Sequence, residues 1–259
     1  MAKVAVGSAV DISISVVSHL QIGMVVELLR DFEVHCKNSR FELILTLNLE
    51  EALPFAPDDF SYPVIILRNA KPLGFGANHN QAYQHASGRY FSVVNPDIRL
   101  QADPFVDLLP CMEDSSVGVV APLVRGADGR VEDSARRFPG PLRILGKALG
   151  RGRGPDYAIQ AAPIYPDWVG GMFMVFPSEI FGKLGGFDER FFLYYEDVDL
   201  CGRLRLQGHE VVLNPKAQVI HHAQRSSHAN LRYLSWHLKS MARFFLSPVY
   251  WRLRRRTRP

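Results

Sequence analysis

Cysteine is scarce in this chain of 259 residues: Cys36, Cys111 and Cys201 are odd in number and far apart. That argues against a disulfide framework, suggests a reducing compartment and gives no metal-ligand spacing. No apolar run approaches the roughly 20 residues that span a bilayer. The first residues, MAKVAVGSAVDISISVV, have one lysine and no convincing cleavage site, so no signal peptide is expected. Internal repeats and low-complexity tracts are missing. So is a broad basic surface. The formal charge is +4, but the tail WRLRRRTRP alone holds Arg252, Arg254, Arg255, Arg256 and Arg258. Subtracting those five from +4 leaves −1 for the body. The charge balance therefore argues against nucleic acid as a partner.

What the chain does have is an ordinary globular composition, 47% apolar and 22% charged, enough for one large core with or without a small appendage. Apolar runs at Asp11–His19, Phe41–Asn48, Tyr62–Asn69 and Arg89–Asp97 read as strands, with helical periodicity in MVVELLRDFEVHC and HNQAYQHAS. Strands that are apolar on both faces and alternate with helices predict a parallel, doubly wound sheet. Further strands are expected at Val117–Val124, in DWVGGMFMVFP, and as two short pieces, HEVVLNP and AQVIHH; residues 104 to 113 look helical. The Gly-, Pro- and Arg-rich stretch from Ala127 to Tyr157 reads as a mobile or inserted loop. The final segment, NLRYLSWHLKSMARFFLSPVYWRL, is helical and amphipathic.

In open α/β sheets ligands bind beyond the carboxyl ends of the strands. That edge collects Ser18 and His19, Asn48, Asn69, and Asn95 to Asp97. In NAKPLGFGANHNQAY, Gly74 and Gly76 allow close backbone approach ahead of Asn78 and Asn80; the missing third glycine rules out a dinucleotide fingerprint, and a plain strand-to-helix turn is the alternative. Asp97, beside Asn95, has the chemistry to hold a hard divalent cation carrying a diphosphate, unless the tripeptide is only a turn. His221 and His222 end a strand, so alternation lets one ring at most enter the site. In FFLYYEDVDLCGRL, the acids Glu196, Asp197 and Asp199 follow an aromatic run that includes Tyr194 and Tyr195. Helix-start capping accounts for one or two such acids. Burial beside rings raises a carboxyl pKa toward general-base strength.

These pieces, in order, resemble the family-2 glycosyltransferases, inverting enzymes of GT-A type, and within them the rhamnosyltransferase-like branch. The matching stretches are SVVSH, PLGFGANHN, SGRYFSVVNPDI, ARRFPGP, WVGGMFMVF, LGGFDERFFLYYEDVDLCGRL and VIHH, over roughly residues 11 to 222. The resemblance implies an α/β GT-A nucleotide-binding fold, with a doubly wound, mostly parallel sheet and helices on both faces. It implies Asp197 as the base, with Glu196 and Asp199 orienting it or touching acceptor. Asp97 would reach a divalent metal (Mg or Mn), together with His221 or His222. Ser18, His19, Asn48, Asn69, Gly74, Asn80, Asn95 and Asp97 would surround the nucleotide sugar, and Trp168, Tyr194 and Tyr195 the acceptor. Two positions depart from the family pattern. Asn95 replaces the first acid of the usual diphosphate motif, and Leu47-Asn48 replaces an Asp-Asn pair that contacts the base in many relatives.

The expected activity is transfer of a sugar, of the rhamnose class, from a dTDP- or UDP-type donor to a hydroxyl of a saccharide acceptor, lipid-linked, in cell-surface polysaccharide synthesis. A sugar-phosphate nucleotidyltransferase and a catalytically silent sugar-binding module are the alternatives. Residues 1–230 would be the catalytic domain and 231–259 an amphipathic helix with a basic tail. That tail predicts a cytoplasmic protein, peripheral on an anionic membrane surface.

Overall fold

The structure, a computed structural model, describes residues 10–148, 154–222 and 231–256. The first nine residues, part of the Gly/Arg stretch, and Arg258 of the tail lie outside them. The strands are β1 (Ile12–Ser18), β2 (Phe41–Leu47), β3 (Val64–Arg68), β4 (Tyr90–Val94), β5 (Ile98–Arg99), β6 (Val117–Gly126), β7 (Ala135–Arg136), β8 (Trp168–Val169), β9 (Phe173–Pro177) and β10 (Glu210–His221). The helices are α1 (Ile22–His35), α2 (Phe75–Tyr83), α3 (Phe105–Leu108), α4 (Pro141–Ala148), α5 (Ser178–Lys183), α6 (Glu196–Leu206), α7 (Leu231–Leu246) and α8 (Pro248–Arg256).

Eight strands form one sheet in the order β3-β2-β1-β4-β9-β6-β10-β5. The β3, β2, β1 and β4 strands are parallel, as the alternating pattern predicts. β9 then enters antiparallel between β4 and β6, and β5 closes the far edge antiparallel to β10. Two apolar layers sandwich the sheet. One is covered by α1 and α3 through Leu28, Phe32 and Phe105; the other by α2, α5 and α6 through Ala82, Phe181 and Leu204. On α1 the buried residues Val25, Leu28, Leu29 and Phe32 recur at helical spacing, which is what docks that face on the sheet.

Three local differences from the sequence reading have physical causes. HEVVLNP and AQVIHH form a single strand, β10, because a shift of register between Asn214 and Gln218 absorbs Pro215. The Gly/Pro/Arg stretch is partly structured: β7 pairs with β8, and α4 follows. The C-terminal segment is two helices, not one. Ser247 and Pro248 start the second: the Ser247 hydroxyl accepts the Tyr250 N–H at 3.2 Å, and Pro248 occupies the first helical position. Phe244 and Tyr250 pack with Phe191, Tyr195 and Val198, so α7 and α8 lie against the turn that precedes α6 and its first residues.

Candidate active site

The polar strand ends converge as expected. Asn48 accepts the Leu73 N–H at 2.7 Å and donates to the Leu73 carbonyl at 3.0 Å. Its amide also lies 3.1 Å from His19 Nδ1, and Asn69 donates to both Asn48 and Asn78. His19, Asn48, Asn78, Asn95 and Asp97 line a cavity of about 410 Å³. Ser18 and Asn69 stand behind that lining. The buried Ser18 hydroxyl accepts the Gln21 N–H, and Asn69 is held within the asparagine network.

Two residues assigned to the nucleotide sugar are used elsewhere. Asn80 clamps the chain around residue 187: it accepts the Phe187 N–H at 2.9 Å and donates to the Phe187 carbonyl at 2.8 Å. Gly74 permits close approach of backbone, but to Phe192; a Cβ there would lie 2.7 Å from the Phe192 carbonyl oxygen. The Phe75 N–H donates to that same oxygen.

Beyond β4, the His222 N–H donates to the Asp97 carbonyl, which fixes the end of β10 against the NPD turn. Of the two histidines, His221 faces Asp97, with Nε2 3.2 Å from Oδ2, while the His222 side chain is exposed. The other His221 nitrogen, Nδ1, lies 2.9 Å from Glu132 Oε2. Burial works against the imidazolium, but Asp97 and Glu132 outweigh it and raise the His221 pKa to about 9. Among the described residues no group of three or more His, Cys, Asp or Glu could hold a metal by itself. Asp97 Oδ1 is nonetheless buried without a partner. An orphaned carboxylate oxygen beside an imidazole suits a cation whose remaining ligands come from a diphosphate and water.

A second cavity, about 930 Å³, opens beside the first, and Tyr233 of α7 lines both. Trp168, Tyr194, Tyr195, Glu196 and Asp197 form part of its wall. Tyr194 and Tyr195 both have φ of 69°, the left-handed region that bulky residues avoid. Such conformations persist only where the surroundings impose them. Here Ser240 of α7 donates to the Leu193 carbonyl at 2.8 Å, and Tyr195 packs on Phe244 and His237. The strained turn delivers Glu196 and Asp197 as the first residues of α6.

Asp197 accepts the Gly171 N–H at 3.1 Å and the Val198 N–H at 2.8 Å. Burial raises its pKa, partly offset by these donors and by the charge of Arg136. Glu196 is buried, and one of its oxygens has no partner. Burial, and then the Asp197 charge, push its pKa well above the ordinary value. Asp199 does not join them. It is buried in an ion pair with Arg203, 2.7 Å away and one helical turn on, and lines neither cavity. The sequence reading overlooked Glu132, Tyr233 and His237; ARRFPGP was the signal for Arg136.

The Glu196 shift gives a stability prediction. In the folded state this carboxyl keeps a proton that the unfolded chain loses above about pH 4.5. Its contribution is therefore favourable at low pH and declines as pH rises above that value. As pH rises above about 5 the melting temperature of Glu196→Gln should fall less than that of the wild type. Parallel curves would mean that Glu196 ionises normally in the fold.

Comparison with known proteins places the chain. No protein-family model matches it. It is 30% identical over 187 residues to rhamnosyltransferase WbbL of Escherichia coli K12, covering 66% of this chain and 69% of that protein. The chain belongs to the rhamnosyltransferase-like branch of the family-2 GT-A glycosyltransferases. It is also 32% identical over 182 residues to N-acetylglucosaminyl-diphospho-decaprenol L-rhamnosyltransferase of Mycobacterium tuberculosis, and spans 59% of that protein's length. Two solved glycosyltransferases share the fold. They are GalNAc-T7 with UDP, GalNAc and Mn²⁺ (TM-score 0.67, 15% identity, 92% of this chain and 48% of that one) and the Pyrobaculum calidifontis mannosyltransferase PcManGT with GDP-Man and Mn²⁺ (TM-score 0.64, 16% identity, 91% and 64%). The GT-A expectation holds, with the mixed sheet described above.

Proposed function

We propose that this glycosyltransferase moves a sugar of the rhamnose class from a dTDP- or UDP-type donor to a hydroxyl of a saccharide carried on a lipid diphosphate, with inversion. The observation that carries this is the pairing of two adjoining cavities, one ending at Asp97 and the other at Asp197, with Tyr233 between them. The mycobacterial relative, named for transfer to N-acetylglucosaminyl-diphospho-decaprenol, supports the acceptor class.

The smaller cavity takes the nucleoside diphosphate, with the base near His19 and Asn48 and the diphosphate toward Asp97. Asp97 and His221 would hold a divalent metal there; when bound, the metal neutralises charge on the leaving diphosphate. In the larger cavity Trp168, Tyr194 and Tyr195 orient the acceptor saccharide. Asp197 takes the proton of its hydroxyl as that oxygen bonds to the anomeric carbon and the carbon–phosphate-oxygen bond breaks. A carboxyl with a raised pKa is a stronger base than a solvated one. Burial disfavours the charged form of Glu196 beside it, which limits the negative charge gathered at the point of proton transfer. Incubation with dTDP- and UDP-sugars and a lipid diphosphosaccharide tests the reading. Release of nucleoside diphosphate together with a product one sugar larger is expected, and release of pyrophosphate from nucleoside triphosphates would replace it with nucleotidyl transfer.

Contact with an anionic bilayer is part of the same proposal. Among the described residues no helix is long and apolar enough to cross a membrane. On α7 and α8, however, Leu246 and Trp251 are exposed beside Arg252 and Arg255. Each arginine near such a surface adds on the order of 1 kcal/mol of attraction. Full-length protein should sediment with phosphatidylserine vesicles at low salt, and a Trp251→Ser/Arg252→Gln/Arg255→Gln variant should not; equal sedimentation removes this surface from the proposal.

A further inference from the structure

The larger cavity offers more than one saccharide ring needs. Its volume lies near the top of the roughly 300–1,000 Å³ range of ligand sites. Part of its wall is the stretch from β7 into α4, which contributes Arg136, Arg137 and Arg143. These arginines are not equivalent. Arg136 is close enough to Asp197 to lower that carboxyl's pKa, packs over Trp168 and pairs with Asp133 at 3.1 Å. Arg137 and Arg143 are tied together by the largely buried Asp156, which accepts the Arg137 backbone N–H at 3.1 Å and pairs with the Arg143 guanidinium. The Arg137 guanidinium lies over the Tyr157 ring, 5.7 Å from its centroid, and has no carboxylate partner among the described residues.

Acids also line this cavity. Glu132 is engaged by His221, Asp133 by Arg136 and Asp156 by Arg143, while burial disfavours the charged form of Glu196. Among the described residues that leaves Arg137 as the arginine of this wall with no carboxylate on its guanidinium. Beside Arg143, Ile144 also lines the cavity, and so does Leu234 of α7. Leu234 is 53% exposed. An exposed leucine in a cavity wall invites an apolar ligand.

We infer that Arg137, with Arg143 beside it, binds the diphosphate of the acceptor, and that Ile144 of α4 and Leu234 of α7 take the first part of its prenyl chain. This rests on the transferase reading above and assigns residues to its acceptor. Saccharide at Asp197, diphosphate at Arg137 and hydrocarbon at Ile144 and Leu234 would place the three parts of a saccharide–diphospho–lipid in one cavity. Planar guanidinium forks suit phosphate oxygens, and an arginine that no carboxylate satisfies has its donors to give.

Farnesyl diphosphate and farnesol are suitable probes, titrated calorimetrically in EDTA so that a metal-bridged donor site does not compete. Farnesyl diphosphate should bind at least about tenfold more tightly than farnesol, the scale of one charge-assisted contact. Arg137→Gln, an exposed position, should erase that preference and leave farnesol binding unchanged. Asp97→Ala should retain it. Equal binding by wild type and Arg137→Gln, or loss of the preference in Asp97→Ala, overturns the assignment. Retained Arg137-dependent binding in a protein that transfers no sugar would instead overturn the transferase reading and leave this site standing.

Discussion

Asp197→Asn is expected to lower sugar transfer by about 10²–10⁴-fold, the usual contribution of a positioned base, while leaving nucleoside-diphosphate binding unchanged. The amide cannot take a proton, so the acceptor hydroxyl must attack without losing one in the transition state. The structural cost of the change is small for a buried position. One of the two backbone donors, Gly171 or Val198, loses its acceptor oxygen, but a carboxylate whose charge burial disfavours is also removed. Binding at the other cavity does not involve this side chain, because Asp197 does not line it. Initial-rate assays of product formation, alongside calorimetric titration of dTDP or UDP, separate the two effects. Transfer by the variant near the wild-type rate would take the base role from Asp197. A parallel loss of nucleotide binding would mean that the α6 turn had collapsed.

How far the site was readable from sequence depends on whether local or distant chemistry made each part. The ligand edge was readable because parallel strands all end on one side; polar residues after β1, β2, β3 and β4 had to meet there. The Asp199 ion pair was also within reach, since Arg203 stands four residues on, the spacing that joins side chains on a helix. The roles of Asn80 and Gly74 were not, because their partners, Phe187 and Phe192, are more than 100 residues away. Nor does DWVGGMFMVFP reveal that β9 runs antiparallel between β4 and β6. A strand's own pattern fixes its faces, not its direction. Alternation said that one of His221 and His222 turns inward. Which one was decided by pairing of β10 with β5, His221 opposite Ile98. Composition hid the most. A Gly/Pro/Arg-rich stretch reads as loop, yet here it supplies Glu132 behind His221 and the arginine wall of the larger cavity.

Metal dependence should show itself in a four-way measurement of nucleoside-diphosphate affinity: wild type and Asp97→Ala, each with Mn²⁺ and with EDTA. Wild type should lose at least about 10–100-fold on EDTA addition, and Asp97→Ala should start at that reduced affinity and lose no more, because losing a ligand costs no less than losing the groups that orient it. The expectation comes from two facts about one side chain. Asp97 Oδ1 is buried with nothing to bond, and Oδ2 is 3.2 Å from a histidine whose far nitrogen is already held by Glu132. A carboxylate pinned by strand pairing and left with an unused oxygen is preorganised for a cation that arrives with its diphosphate. The replacement of the usual first acid by Asn95 removes one negative charge, so the metal should bind the free protein weakly and the nucleotide complex well. Asp97→Asn, which preserves shape, controls for local rearrangement and should behave like Asp97→Ala. Equal affinity under all conditions would sink the metal assignment and transfer the diphosphate to the protein's own cations, with Arg136 the first to test.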